Sequence, residues 1–266
     1  MLPHRNLLDG ARHPEAYAAV LDVADRVLRT WEPGWSGFLS GAEQEEIGAG
    51  LAQLSELTLA WDGGFIGAER RCLRLARAEL EGGAGTPAAE DGTAPLGGLE
   101  IIGNFLFDPA DAAELRGVLE SLGAEGAEIG DLWLRGDRGA LAVVSTHLAE
   151  RLHGLETTLR TVPLQITRRA IVDLHPPTAR LPRALSTVEA SLRLDAIASA
   201  GFGLPRSRVK ALISQGAARI NWQTVQQPSA TVRAGDRIRL DGRGELRIQT
   251  IEATKRDRWR LSMERR

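Results

Sequence analysis

The 266-residue sequence predicts an α+β fold in three parts: a helical N-terminal segment, a middle domain of alternating strands and helices, and a mixed C-terminal module. Two stretches rich in Gly or Pro favour irregular backbone and divide the chain at residues 82–98 and 175–185. We therefore expect domains at 1–81, 99–174 and 186–266. A chain of this length has room for two or three cores of ordinary size.

The N-terminal segment is predicted to be helical because its apolar residues recur at three- and four-residue intervals. The pattern predicts helices over 14–29, 41–60 and 67–81. The second helix has a start signal in Ser40 and Glu43. These residues form a capping box, in which each side chain satisfies a backbone N–H at the helix end.

The middle domain alternates strand and helix patterns in the order βαββαβ, which predicts a ferredoxin-like fold. RNA-binding RRM domains share this topology. The third strand, within GALAVVST, lacks the aromatic residues on which RRM domains stack bases, so we expect the sheet to be a packing scaffold. The predicted elements are a strand over 99–107, a helix over 110–122, a hairpin of 131–135 and 140–145, a helix over 147–159 and a strand over 162–168.

Charge is distributed unevenly along the chain. Residues 1–185 carry 17 Lys and Arg against 27 Asp and Glu, whereas residues 186–266 carry 16 against 8. The formal charges are therefore −10 and +8. A segment this basic attracts polyanions, because each phosphate that it neutralises releases condensed counterions. The C-terminal module is thus a candidate for nucleic-acid binding, with a merely solvated basic surface as the alternative.

Two helices are predicted in the C-terminal module. Ser186 and Glu189 form a second capping box, which predicts a helix over 187–200. A further helix over 205–214 ends at Gly216, a natural left-handed stop. The N-terminus of this second helix offers backbone N–H groups and a dipole that favour phosphate.

Polar and basic side chains collect on the second helix and on the strand and turn that follow it. A strand over 217–221 and a turn at Gly235-Asp236 place polar groups beside the helix, where they can read RNA edges or 2′-hydroxyls. The predicted RNA contacts are Arg193, Arg206, Ser207, Arg208, Lys210, Gln215, Arg219, Asn221 and Gln223.

The module resembles the alpha-L RNA-binding domain named after ribosomal protein S-four. The shared motifs are Arg193-Leu194-Asp195, Arg206-Ser207, Leu212-Ile213 with Gly216, the turn at Asn221, and Gly235-Asp236. The run TVEASLRLDAIASAGFG, with Asn221-Trp222 and TKRDRWR, resembles YlmH-type proteins of cyanobacteria and plastids called photosystem II S-four domain proteins. Upstream, DGGFIGAERR, GNFLFDPA and IGDLWL are similar to the same family, so the resemblance covers nearly the whole chain.

Two positions depart from the family pattern. Ala112, Ala113 and Glu114 stand where the family often has an HRD triplet, so whatever contact that triplet makes is in doubt. Pro205 stands in place of the serine that usually precedes the Arg-Ser pair. Loss of a helix cap costs about 1 kcal/mol, which a proline at the first helical position partly offsets, so we expect the fold to be kept.

The resemblance implies a non-catalytic protein that binds ribosomal RNA, with relatives on the large ribosomal subunit and on stalled nascent-chain complexes. The family name also implies a link to photosystem II biogenesis. A protein partner would bind through the acidic N-terminal domains. No cofactor is expected.

Two other functions stay open. An RNA-modifying enzyme is the first, because pseudouridine synthases and methyltransferases often carry this module; however, GNF after Ile102 lacks the repeated glycines of a methyltransferase cofactor loop. A synthase would need a large catalytic domain, whereas residues 1–185 are predicted to form helices and one small α/β unit. A protein-assembly factor with incidental RNA binding is the second.

Several side chains have competing structural and functional interpretations. Trp222 and Trp259 are candidates for base stacking or for packing. Arg70 and Arg71 are candidates for RNA contact, for a solvated surface or for an intramolecular pair with the acidic half. His147 and His153 lie six residues apart without a completing ligand set, so no metal site is expected. Acidic residues at a helix start, Asp108, Asp111 and Glu114, complement the helix dipole, and no catalytic residue is predicted.

The sequence predicts a cytoplasmic protein that does not insert into membranes. Cys72 is the one cysteine and cannot form an intramolecular disulfide. The first 30 residues mix charges with apolar residues and do not read as a signal peptide. No run reaches the roughly 18 to 20 apolar residues that span a bilayer.

Overall fold

A computed structural model describes residues 7–81, 93–177, 182–255 and 257–266. The chain divides into two compact units, residues 1–178 and 179–266. The predicted α+β class is confirmed, with N-terminal helices, sheets in the middle and a small mixed domain at the C-terminus. The boundaries proposed between the first and middle domains stay a prediction.

The N-terminal part of the first unit packs helices on a three-stranded antiparallel sheet. Its elements are α1 (Pro14–Thr30), β1 (Gly34–Leu39), α2 (Gly41–Leu51), β2 (Leu57–Asp62), β3 (Arg71–Arg77) and the short α3 (Ala78–Glu81), with strand order β1-β3-β2. Helix α1 buries one face against the sheet, as its apolar spacing predicts. The Ser40–Glu43 capping box at the start of α2 is confirmed.

The helix predicted over 67–81 is wrong, and the one predicted over 41–60 is too long. Helix α2 ends at Leu51 and is followed by β2, while residues 71–77 form β3. Strand β3 is the central strand and buries apolar residues on both faces, among them Cys72 and Leu73. A strand buried on both faces has no simple alternation, so its apolar spacing cannot be told from that of a helix.

The middle part is a five-stranded antiparallel sheet with two helices. Its elements are β4 (Leu96–Ile102), α4 (Ala112–Ser121), β5 (Ile129–Leu134), β6 (Gly139–Ser145), α5 (Thr146–Leu152), β7 (Glu156–Leu159) and β8 (Val162–Arg169), with strand order β5-β6-β4-β8-β7. Four of these strands and both helices have the predicted βαββαβ arrangement. The end of the predicted helix 147–159 is instead the extra edge strand β7.

The two faces of the middle sheet have different partners. One face packs Leu99 and Ile101 against α4 and α5 in the largest core cluster. On the outer face, Leu141 and Val143 pack with Phe38 and Cys72 of the N-terminal sheet. Gly130 is needed at this contact, because a Cβ there would lie 2.6 Å from the Phe38 ring. Part of the outer face is therefore packing surface.

Arg70 also joins the two parts of this unit. Its backbone N–H donates to Asp131 Oδ1 (3.0 Å), and its Nε donates to the carbonyl oxygen of Ile129 (2.9 Å). Burial lowers the pKa of Arg70 below its ordinary value, and the nearby charge of Arg116 adds to this effect. These contacts match the interpretation of Arg70 as a residue that bonds within the protein.

The second unit packs two helices on a six-stranded antiparallel sheet. Its elements are β9 (Arg183–Glu189), α6 (Leu194–Phe202), α7 (Arg206–Ser214), β10 (Ala218–Ile220), β11 (Gln223–Thr224), β12 (Arg237–Leu240), β13 (Gly244–Ala253) and β14 (Trp259–Arg265), with strand order β11-β10-β12-β13-β14-β9. Helix α6 ends at Gly203 in the left-handed conformation, and α7 is followed by Gly216 in the same conformation.

The capping box predicted at Ser186 and Glu189 is wrong. Residues 183–189 form β9, which pairs along its whole length with β14, and Ser186 lies opposite Ser262. The helix starts at Leu194 instead, where the Leu194 N–H donates to the carbonyl oxygen of Ala230 (2.8 Å). The Ser-x-x-Glu spacing is a local signal, and pairing with a strand more than 70 residues later overrides it.

Candidate RNA-binding surface

The second unit contains a buried carboxylate that is shared by three cationic side chains. Asp195, in the first turn of α6, has no exposed side-chain surface. Its oxygens accept hydrogen bonds from Arg193 Nε (3.1 Å) and Nη2 (3.3 Å) and from Arg206 Nη2 (2.9 Å). Lys210 Nζ lies 3.7 Å from Asp195 Oδ2. We call these four residues the Asp195 cluster.

The cluster carries a net positive charge that faces water. The side chains of Arg193, Arg206 and Lys210 are 41%, 48% and 50% exposed. Burial alone would raise the pKa of Asp195, but the hydrogen bonds from Arg193 and Arg206 outweigh it and lower the pKa to about 2. The hydrogen bond to Asp195 in turn raises the pKa of Arg206. At neutral pH three cations therefore surround one anion.

Two short helices position these residues. Arg193 is the N-cap residue of α6, Arg206 is the first residue of α7, and Lys210 follows one helical turn later. Residues four apart on a helix share a face, so Arg206 and Lys210 both reach Asp195. The loop between the helices is held by a hydrogen bond from Ser199 Oγ to the carbonyl oxygen of Leu204 (2.7 Å).

Other predicted contacts on α7 lie outside the cluster. Arg208 is two residues after Arg206, which places it about 200° around the helix from the cluster face. Ser207 and Gln215 are exposed on further faces. The structure thus brings together three of the predicted cations and leaves the remaining polar groups of α7 spread over its exposed surface.

Asn221 has a structural role in the turn that joins β10 and β11. Its Nδ2 donates to Asp236 Oδ1 (2.8 Å), and its Oδ1 accepts from the Arg237 backbone N–H (2.9 Å). Asn221 and Trp222 both have positive φ, as a two-residue hairpin turn requires. The amide for which the sequence predicts an RNA contact ties this turn to the Gly235-Asp236 turn, and the RNA contact stays a prediction.

The other two predicted contacts differ in their surroundings. Arg219, on β10, forms an ion pair with Asp241. Gln223 lies exposed on β11, the edge strand of the sheet. Edge position and exposure leave Gln223 accessible to a ligand, whereas Arg219 is already partly neutralised by its partner.

Two family models match this chain. One, described as "YlmH, N-terminal", matches residues 12–80, and the other, described as "S4 domain", matches residues 192–238. The second match spans the Asp195 cluster and the turns at Asn221 and Gly235. The chain is therefore similar to YlmH proteins over residues 12–80 and to S-four domains over residues 192–238.

Two known proteins resemble this chain. The "Ribosome-associated protein quality control protein P2" of Bacillus subtilis (strain 168) is 28% identical over 229 residues, which cover 86% of this chain and 85% of the relative. The solved structure "Cell division protein ylmH from Streptococcus pneumoniae" is 17% identical, with a TM-score of 0.44, and covers 65% of this chain and 94% of that one.

The second unit also has a row of arginines that the sequence did not lead us to predict as contacts. On β12, Arg237 and Arg239 alternate with the buried residues Ile238 and Leu240, so both arginines lie on the outer face of the sheet. Arg247 of β13 is the register partner of Arg237. The alternation in RIRL was the available signal. Arg237 also stacks over Trp222, with 5.6 Å between the guanidinium carbon and the ring centroid.

Two features are absent from the part of the chain that the structure describes. No group of three or more His, Cys, Asp or Glu side chains there is arranged to hold a metal ion. Within the same residues, no helix combines the length and the apolar character required to cross a membrane.

Proposed function

We propose that this protein binds structured RNA through the Asp195 cluster, without catalysing a reaction. The observation that carries the proposal is the buried carboxylate, which gathers three half-exposed cations into one patch on the basic unit. Guanidinium groups match phosphate geometry, and each has five N–H donors, of which Asp195 accepts two from Arg193 and one from Arg206.

The proposed contacts include further residues around the cluster. Ser207, Arg208, Gln215, Arg219 and Gln223 are proposed as peripheral RNA contacts because each is at least partly exposed near α7 or on β10 and β11. Asn221 is proposed to act indirectly, by holding the turn in place.

The proposed target is ribosomal RNA of the large subunit, with a role in translation quality control. The name of the Bacillus subtilis relative, a ribosome-associated quality control protein, supports this choice. The N-terminal unit is proposed to bind protein partners. A role in photosystem II biogenesis rests on the sequence resemblance alone.

A titration of ribosomal RNA with the full-length protein tests the proposed surface. The Arg206→Gln/Lys210→Gln variant removes two cations of the cluster, so we expect affinity to fall about tenfold and the slope of log affinity against log salt to shrink by roughly 1.4 to 1.8. The matched control, Lys255→Gln/Arg258→Gln, makes the same charge change near the connection between β13 and β14 and should have little effect. Equal losses in both variants would contradict the proposed surface.

Mass spectrometry of ribosomal RNA from a deletion strain tests the alternative that the protein is an RNA-modifying enzyme. A non-catalytic protein leaves the modification pattern unchanged. One specific missing modification, restored by the intact gene, would favour the enzyme. Copurification with a protein partner that survives nuclease treatment would instead favour an assembly factor.

A further inference from the structure

A second buried carboxylate holds arginines on the outer face of the middle sheet. Glu100, on β4, the central strand of the sheet, is 7% exposed. Its Oε2 accepts a hydrogen bond from Arg169 Nε on β8 (2.7 Å) and lies 2.6 Å from Arg169 Nη2, and its Oε1 is paired with Arg135. We call these three residues the Glu100 cluster.

One arginine would neutralise Glu100, yet the cluster has two. The side chains of Arg135 and Arg169 are 41% and 48% exposed, so a net positive charge meets water at the centre of a sheet face. A buried ion pair seldom stabilises a fold more than apolar residues of the same volume. The surplus cation is therefore not explained by the stability of the sheet.

The Glu100 cluster lies between a covered and an open part of the outer face, since Leu141, the register partner of Glu100, is buried. The part of the outer face near Val143 is covered by Phe38 and Cys72, but Ile102, the second residue after Glu100 on the same face, is 39% exposed. A shallow depression next to Ile102 has a mixed lining, with the polar residues Asn104, Arg138, Glu156 and Gln165 beside the apolar Pro163 and Leu164. This end of the sheet is accessible to a ligand.

An exposed aromatic ring lies on the adjacent loop. Phe107 is 92% exposed, while Phe105, two residues earlier, is buried in the core. The Phe105 N–H donates to the carbonyl oxygen of Asp137 (2.8 Å), and the Gly103 N–H donates to that of Arg138 (3.1 Å). These bonds fix the start of the Phe107 loop against the β5–β6 turn, next to Arg135.

We propose that the Glu100 cluster is a second RNA site, which binds phosphates of a single strand, with Phe107 as a stacking platform. Arginine forks that bind phosphate, amide side chains and an exposed ring are the combination that single-stranded nucleic acid requires. The proposal rests on the proposed RNA-binding function and places a second contact on the other unit of the chain. A partly covered sheet face leaves more room for an extended single strand than for a folded duplex.

Full-length variants that keep the buried charges balanced test this site. In Glu100→Gln/Arg135→Gln/Arg169→Gln, the carboxylate is removed together with both cations, so no unpaired charge is left in the sheet. The probe is a fluorescent single-stranded RNA of about 12 nucleotides, titrated at several salt concentrations. We expect about tenfold weaker binding and a slope that is smaller by roughly 1.4, because two phosphate contacts are lost.

One control variant and one further test variant make the result specific to this site. Arg168→Gln changes the neighbouring residue on β8, which points to the opposite face and pairs with Glu150, and should bind as the wild type does. Phe107→Ala should weaken single-strand binding by roughly fivefold or more without changing the salt slope. Circular dichroism and thermal unfolding establish that each variant is folded.

The outcomes separate this site from the Asp195 cluster. Wild-type affinity for the single strand in the folded triple variant would overturn the Glu100 site, and so would an equal loss in Arg168→Gln. Loss of ribosome association in the triple variant with unchanged RNA affinity would assign the face to a protein partner and also overturn it. Failure of the proposed function would appear instead as an unchanged affinity of Arg206→Gln/Lys210→Gln for ribosomal RNA.

Discussion

Asp195 determines how the cations of the S-four domain are arranged. It is fully buried and accepts hydrogen bonds from two arginines on different helices. Without it, Arg193, Arg206 and Lys210 would repel one another and lose their common anchor. A motif that reads as Arg-Leu-Asp in the sequence is therefore the centre of a charge arrangement in the fold.

Replacement of Asp195 by Asn should destabilise the second unit. We expect a loss of about 2 kcal/mol in the free energy of unfolding, because hydrogen bonds to charged groups contribute about 1.5 to 3 kcal/mol. Chemical denaturation measures this loss. The control Asp241→Asn removes an exposed pair with Arg219 and should cost about 0.5 kcal/mol or less. Equal losses in the two variants would show that burial of Asp195 has no energetic weight.

Asp195 should also make stability depend on acid pH. Its pKa is about 2 in the folded protein, below the ordinary value of 3.8, so its contribution is present above pH 4 and is lost as pH falls toward 2. Because water reaches the surrounding cations, we expect a contribution of about 1 to 2 kcal/mol. The difference in free energy of unfolding between wild type and Asp195→Asn should shrink as pH is lowered from 6 to 2. A constant difference over this range would contradict the ionised carboxylate.

At the scale of single elements, the two Ser-x-x-Glu sequences show the limits of a local signal. Ser40 caps α2, and its N–H donates a hydrogen bond to Glu43 Oε2 (2.6 Å). Ser186 lies in β9 opposite Ser262. Both sequences have the same chemistry. The residues after Ser40 form a helix, whereas the residues around Ser186 pair with β14.

Paired serine variants test this difference. Ser40→Ala should destabilise the first unit by about 1 kcal/mol, because a backbone N–H at the helix start loses its partner. Ser186→Ala should change the second unit by less than about 0.5 kcal/mol, since an exposed strand position has no capping role. Thermal or chemical unfolding of both variants provides the comparison. A larger loss from Ser186→Ala would mean that the residue caps a helix after all.

At the scale of the whole molecule, the second unit begins before the segment that the S-four family model matches. The match starts at residue 192, whereas β9 spans Arg183–Glu189 and forms the edge of the sheet. All seven residues of β9 pair with β14. The physical domain therefore includes β9, and a domain boundary at 185 would cut through this strand.

Truncation tests where the unit begins. A fragment of residues 182–266 keeps β9 and should unfold cooperatively, whereas residues 190–266 lose the pairing of β14 and should be less stable by several kcal/mol. Guanidinium titrations of the two fragments measure the difference. The longer fragment should also keep salt-dependent binding to ribosomal RNA. Equal stability of the fragments would show that β9 is dispensable.

The sequence by itself determined the features that depend on neighbours in the chain. The charge contrast between the two parts, helices α1 and α7, the Ser40 cap and the order of elements in the middle sheet follow from composition and periodicity. The Asp195 cluster belongs partly to this class, since Arg193 and Arg206 lie 2 and 11 residues from Asp195. Short separations bring such groups together whenever the local elements form.

Only the tertiary structure decided the features that need distant partners. Strand β9 exists because β14 pairs with it, and Glu100 gains Arg169 from a strand 69 residues later. The tertiary structure also engaged the Asn221 amide in a turn and placed Arg208 away from the cations that share Asp195. The physical reason is that strand pairing and the burial of a charge depend on the groups that close around them, and local sequence patterns do not specify those groups.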